Sequence, residues 1–165
     1  MSAFTLRAGT AADVDQIVAL NAESVAMTSP MDASRFDYLF GISSLMTVVE
    51  QNDRVVAFLI AMTDDTEHDS GNFHWFAERL NRFIYVDRVV VSSECRGSGI
   101  GSALYDHIQL WAEETCLQSI VAEMNLDPPN VGSLNFHKKR GFVQTGTRVL
   151  EDAKIVSMQV LSIQA

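Results

Sequence analysis

The chain has 165 residues, 47% of them hydrophobic and 20% charged, with a formal net charge of −9; this suits one domain with a sizeable core. Such acidity excludes a broad phosphate-binding surface, because nucleic acid is held by Lys and Arg. No apolar run approaches the ~20 residues needed to cross a bilayer, so neither nucleic acid nor membrane is an expected partner.

Met1 to Arg7 show no basic stretch followed by an apolar core, so no secretory signal is read and a cytoplasmic location is the default expectation. Cys95 and Cys116 have neither metal nor redox spacing and are expected as free thiols. Phe4 to Arg7 alternates as a strand and leads into Thr10-Ala11-Ala12-Asp13, a capping-box pattern that starts a helix over Ile17, Leu20 and Val25. That helix stops near Pro30, and a second, roughly Ala33 to Leu45, carries Phe36, Leu39 and Phe40 at helical spacing. Thr47 to Glu50 and Arg54 to Met62 read as a hairpin turning at Gln51-Asn52-Asp53.

Thr63 to Arg82 is a polar insertion with a short helix near its end, expected to form a lid or mobile loop. A strand at Phe83 to Val91, a helix to about Glu114, a strand at Ser119 to Met124, a helix from about Asn130 to Lys139 and strands at 142–150 and 155–163 complete the order. The two strands flanking the helix at 99–114 need a crossover and should be parallel, in a mixed sheet covered by helices. Alternating apolar residues in Ile155 to Ile163 make the last strand a candidate edge for a homodimer.

The most informative stretch is Arg96-Gly97-Ser98-Gly99-Ile100-Gly101, which follows a β-branched strand and opens an amphipathic helix over Leu104, Ile108 and Trp111. Small residues at a helix N-terminus let free N–H groups and the helix dipole meet an anion. A Walker loop would end in Gly-Lys-Ser/Thr, and a dinucleotide fingerprint would follow the first strand, so neither applies. Taken alone, the run suits a tight turn as well as a phosphate cradle. Together with Asn130, Ser133, His137, Gly141 and Phe142 downstream, its pattern Arg-x-x-Gly-x-Gly resembles the GNAT superfamily of acyltransferases.

The resemblance implies an α/β (α+β) domain over residues 1–165, with a mixed, mostly antiparallel sheet of about seven strands, a central splayed parallel pair and about four helices. It implies acetyl-CoA as cofactor, with its pyrophosphate on Arg96, Gly97, Ser98, Gly99, Ile100, Gly101 and Ser102, and its pantetheine along backbone near Val89 and Val91. Asn130, Ser133 and His137 match the family's downstream cofactor segment. The implied activity is N-acetylation of a primary amine, on a small molecule or peptide, by direct attack on the thioester with a base and an acid. The alternative is a module of the same fold that binds coenzyme A without turnover.

The family's usual Tyr, the acid for the thiolate, is here His137. An imidazolium can serve as the acid, or the residue is a packed helix histidine; Ser133, one turn earlier, either orients the cofactor or packs. For the base, strand alternation puts Tyr85, Asp87, Val89 and Val91 on one face and Ile84, Val86, Arg88 and Val90 on the other. Asp87 is the leading base, with an ion pair as its structural alternative. Glu123 is the second candidate, with Asn125 on its face. Phe36, Trp75, Phe76, Tyr85 and Asn125 are candidates to line the acceptor pocket, the first three being equally suited to the core. His68 and His74, with Asp64, Asp65 and Asp69, match no metal-ligand spacing, and no metal is expected.

Overall fold

The structure, a computed structural model, describes residues 3–163. Strand β1 (Thr5–Ala8) leads through a 3₁₀ turn at Ala11–Asp13 into helix α1 (Val14–Glu23). The Asp13 carboxylate accepts the Thr10 N–H at 2.8 Å and is gripped by both terminal nitrogens of Arg7, so the capping box also ties the helix to the first strand. Helix α2 (Ala33–Ile42) starts at Asp32, which accepts the Arg35 N–H at 2.8 Å. β2 (Leu45–Gln51) and β3 (Arg54–Thr63) form the hairpin, with Asn52 and Asp53 at φ +53° and +61°. Left-handed geometry at both turn positions matches the twist of the flanking strands and suits Asn and Asp.

Helix α3 (Gly71–Ala77), strand β4 (Phe83–Val91), helix α4 (Ile100–Glu114), strand β5 (Ser119–Asp127), helix α5 (Val131–Lys139) and strands β6 (Val143–Val149) and β7 (Ile155–Ser162) follow. The seven strands form one sheet in the order β1-β2-β3-β4-β5-β7-β6. Every adjacent pair is antiparallel except β4 and β5, which α4 joins as the crossover. The edges are β1 and β6, and β7 lies between β5 and β6. The expectation that the last strand offers a free dimer edge is thereby overturned: both its sides carry ladder hydrogen bonds.

Each face of the sheet has its own core. On the front, Ile17 and Leu20 of α1, Phe36 and Leu39 of α2, and Phe73 and Phe76 of α3 are buried together. On the back, Ile100, Leu104, Tyr105 and Ile108 of α4 pack on Ile84, Val86, Ile120 and Ala122. Burying a Phe in this way contributes ~1.5–3 kcal/mol, so Phe73 and Phe76 anchor the insertion to the core and it is not the loose loop its polar composition predicts. Trp75 reinforces the anchor against β6: a Cβ on Gly146 would lie 2.6 Å from its ring, so only glycine fits beneath the indole.

The parallel ladder is short. It joins Phe83–Tyr85 to Ser119–Val121 and then ends. From Val86 onward β4 has no strand on that side among the described residues, while β5 stays paired with β7. A bulge accompanies the divergence, because Ile60 and Ala61 of β3 face Arg88 and Val86, leaving Asp87 as the extra residue. A bulge bends its strand and raises the local twist, and here it turns the end of β4 away from β5. It also corrects the predicted alternation. Arg88 and Val90 join Tyr85 on the front, whereas Val89 and Val91 join Val86 on the back.

Candidate active site

The gap between β4 and β5 opens into a cleft of about 790 Å³ that passes through the sheet. Its front wall holds Tyr85, Asp87 and Glu123, with the α1–α2 connection (25–30), the start of α3 and the β6–β7 connection around the mouth. Its back wall holds Val89, Ala122, Met124, Tyr105, Ser133 and His137. The splay thus brings groups from both faces of the sheet onto one channel.

Glu123 sits where the strands part. Its Oε1 accepts the Tyr85 hydroxyl at 2.7 Å and the Asn72 amide at 2.8 Å. The Asn72 orientation is settled by Arg148, which only donates and therefore takes Oδ1, leaving the NH₂ for Glu123. Oε2 is shielded from solvent and has no partner among the described residues. Burial pushes this carboxyl up to about 7; the nearby Asp87 charge adds to the rise, and the bonds from Tyr85 and Asn72 oppose it. A carboxyl that changes charge near neutrality, with one oxygen fixed and the other free, is equipped to take a proton.

Asp87, the leading base by sequence, has a different environment. Oδ1 lies 2.7 Å from His68 Nε2, and Oδ2 accepts Arg88 Nε at 2.8 Å. Burial pushes the carboxyl up, but His68 and Arg88 outweigh it and hold Asp87 below the usual carboxylate range. Arg88 is itself buried and also donates to Asn21 Oδ1 and the Ser29 carbonyl, each at 3.0 Å, and to Ser29 Oγ at 2.8 Å. Both carboxylate oxygens are engaged, and the bulge makes this possible by aiming two consecutive side chains at the same face. The cluster pins the end of α1 and the following loop to β4, shaping the cleft's front wall.

His137 is buried on the back of the cleft. Its Nδ1 is 2.7 Å from the Ser133 carbonyl and 3.3 Å from Ser133 Oγ. A carbonyl only accepts, so Nδ1 carries the proton. Nε2 is 2.5 Å from the Tyr105 hydroxyl, and in the neutral ring it accepts that proton. Burial pushes His137 below its ordinary value, with Arg140 acting in the same direction and the Ser133 carbonyl against it. At neutral pH the imidazole is therefore uncharged, with no proton of its own aimed at the cleft. Asn130 caps α5 by accepting the Ser133 N–H at 3.2 Å.

The glycine loop stands at the start of the 15-residue helix α4, beside the cleft and outside its wall. Gly97 and Gly99 have φ +79° and +87°, and among the described residues nothing beyond their chain neighbours lies within 4 Å of where a Cβ would project. The left-handed backbone, not crowding, selects glycine here. Arg96 is exposed and makes no ion pair among the described residues. An open N-terminal turn with an uncommitted guanidinium fits a pyrophosphate. The unpaired side of β4 from Val86 to Val91 fits an extended amide-bearing arm.

Of the residues proposed for the acceptor, Tyr85 and Asn125 line the cleft; the Asn125 amide also reaches the Ala26 carbonyl at 3.4 Å. Phe36 and Phe76 are fully buried in the front core, and Trp75 packs on β6 with Arg79 3.9 Å above its ring. These three do not line the cleft, because Phe36 and Phe76 fill the front core and Trp75 anchors the insertion to β6. Sequence reasoning missed Asn72, Tyr105 and the His68–Arg88 clamp. Only Arg88 carried a signal, as a second charge beside Asp87 in a valine-rich strand. Among the described residues no group of three or more His, Cys, Asp and Glu is placed to hold a metal, and no helix is long and apolar enough to cross a membrane.

Comparison with known proteins agrees with this geometry. The chain superposes on Ard1 from Thermoplasma volcanium with a TM-score of 0.82 at 19% identity, covering 99% of each chain. It superposes on the ribosomal-protein-S18-alanine N-acetyltransferase from Escherichia coli with a TM-score of 0.77 at 15% identity, over 99% of this chain and 96% of the other. With yncA from Salmonella typhimurium, solved with its cofactor acetyl-CoA, the TM-score is 0.73 at 17% identity, over 99% of this chain and 96% of that one. No curated protein sequence matches the chain. At such identities the superpositions establish the fold. The profile of the acetyltransferase (GNAT) family matches residues 12–142, and the chain belongs to that family.

Proposed function

We propose that this protein is an acetyl-CoA-dependent N-acetyltransferase in which Glu123 is the base for a primary amine on a small molecule or peptide. The observation that carries the reading is the Glu123 carboxyl itself, in the cleft wall at the strand splay, raised to about 7, with Oε2 shielded and unpartnered among the described residues. Acetyl-CoA supplies a thioester carbonyl for direct attack. Tyr85 and Asn72 fix Oε1, so Oε2 is the oxygen left to take the amine's proton as the N–C bond forms. Asp87 and Arg88 serve structurally on the front, holding the loop that bounds the amine's approach. The open turn at Gly97–Ile100 and Arg96 hold the pyrophosphate, and the unpaired edge of β4 near Val89 and Val91 supports the arm that reaches the splay.

The front mouth lies between the α1–α2 connection, the start of α3 and the β6–β7 connection, with Val25 and Met27 exposed there and Asp152 and Lys154 opposite. Such a mixed opening accepts an amine next to an apolar group, as on an amino acid or a peptide N-terminus. Kinetics and calorimetry with Glu123→Gln test the assignment. Turnover of the amine is expected to fall ~10²-fold or more, with acetyl-CoA affinity unchanged. In the unsubstituted protein activity rises as pH passes through about 7, and the variant loses that limb. Retention of both activity and limb places the base elsewhere. Binding of acetyl-CoA without acetylation of amino acids, polyamines or peptides makes the protein a non-catalytic coenzyme A module.

A further inference from the structure

Resting on this reading, we propose that the hydrogen-bond donor to the departing thiolate is the Tyr105 hydroxyl on α4, held ready by His137, and not the imidazole at position 137. The sidedness of the cleft carries the argument. Glu123, Tyr85 and Asn72 lie on the front of the sheet, where the amine must arrive to meet its base. The α4 N-terminus and the back wall lie on the other side, so the sulfur, which continues into the arm leading to that helix, departs toward the back. Tyr105 and His137 are the polar ring pair lining that wall.

Within the pair, His137 has no proton to give. Nδ1–H is committed to the Ser133 carbonyl at 2.7 Å, and Nε2 accepts at 2.5 Å. The phenol keeps one proton and a choice of acceptor, because its O–H can turn. Before reaction the O–H donates to Nε2. A hydrogen bond to an ionised acceptor is about twice as strong as one between neutral groups, so the proton turns to sulfur only as negative charge gathers there. A donor that engages only then lowers the barrier without stabilising the thioester beforehand. Burial raises the Tyr105 phenol, and the Glu123 charge adds to this, while the Arg140 guanidinium over the ring restrains it; the hydroxyl thus keeps its proton throughout the working range.

The proton count closes without transfer from Tyr105. The C–S bond breaks, the electron pair stays on sulfur beneath the Tyr105 O–H, and sulfur later takes a proton from solvent. That proton balances the one Glu123 takes from the amine and releases. His137, touching neither sulfur nor amine, is a positioning residue.

The test reads binding, not turnover. Coenzyme A bound to the unsubstituted protein is titrated by thiolate absorbance, with desulfo-coenzyme A as the control for affinity. The bound thiol is expected to ionise about one pH unit below the free thiol. Tyr105→Phe abolishes the shift and His137→Phe reduces it, both with desulfo-coenzyme A affinity unchanged. An unshifted thiol in the unsubstituted protein, or a full shift in Tyr105→Phe, overturns the assignment of the donor; a full shift in His137→Phe removes His137 from it. A protein that binds neither ligand overturns the acetyltransferase reading and this inference with it, whereas binding with an unshifted thiol overturns this inference alone.

Discussion

Asp87 and Glu123 are carboxylates on the two strands that splay apart, both on the front of the sheet, yet their surroundings drive them in opposite directions. Asp87 is held by the Arg88 guanidinium and hydrogen-bonded to the His68 ring and falls below the usual carboxylate range, whereas Glu123 has two neutral donors on one oxygen and rises to about 7. Burial alone therefore does not mark a base. What separates them is the charge of the partners: a cation stabilises the ionised form permanently, while a phenol and an amide leave it responsive to pH. One carboxylate builds the wall and the other is left to react.

The largest expected effect comes from erasing this difference at Asp87. Asp87→Asn leaves Arg88 buried without its counter-charge, and such a change costs about 3–5 kcal/mol. Urea denaturation should show a loss of that size, with acetyl-CoA affinity falling only as far as the folded fraction does. Loss of turnover at unchanged stability would instead make Asp87 the base. A smaller effect is expected at Glu123, with a characteristic pH dependence. In the unfolded chain this carboxyl ionises near its ordinary value of 4.5, and in the folded protein at about 7. Below that window both states are protonated and the group costs nothing. As pH rises through it, the unfolded chain releases the proton first, so stability falls by up to ~3 kcal/mol and stays flat above. Glu123→Gln removes the fall; comparing the two proteins at pH 5 and pH 8 isolates it, and an identical pH dependence in both would mean the carboxyl is not raised.

The glycine loop and crossover at the back were legible in sequence and the groups lining the cleft were less so, for physical reasons visible in particular residues. Gly97 and Gly99 announce themselves because only glycine takes their backbone angles readily, and Ile100, Leu104 and Ile108 keep helical spacing behind them. The crossover through α4 then dictates the parallel pair. The bulge at Asp87 has no comparable signature, since an added residue changes the facing of every later side chain without changing the composition of the strand. Phe73 and Phe76 anchor the insertion through a spacing of three within a stretch whose Asp and His content reads as solvated. Tyr105 lay in the apolar stripe of α4, and its pairing with His137 depends on how two helices meet. Glu123 was visible as a charge breaking an apolar strand, but its rank over Asp87 depended on partners 51 and 38 residues away.

The smallest predicted effect separates scaffold from cofactor contact at the junction of the two halves. Asn130 matches the family's downstream cofactor segment, but its side-chain oxygen is occupied in capping α5 through the Ser133 N–H. Removing such a cap costs about 1 kcal/mol. Asn130→Ala is therefore expected to lower stability by that amount in denaturation, while calorimetry shows acetyl-CoA affinity within about twofold, a change of ~0.4 kcal/mol. A tenfold loss of affinity at unchanged stability would reverse the assignment and give the amide to the cofactor. The intermediate case has its own geometric meaning: if both fall together, the cap holds Ser133, and with it the carbonyl partner of His137, in the place the cleft requires.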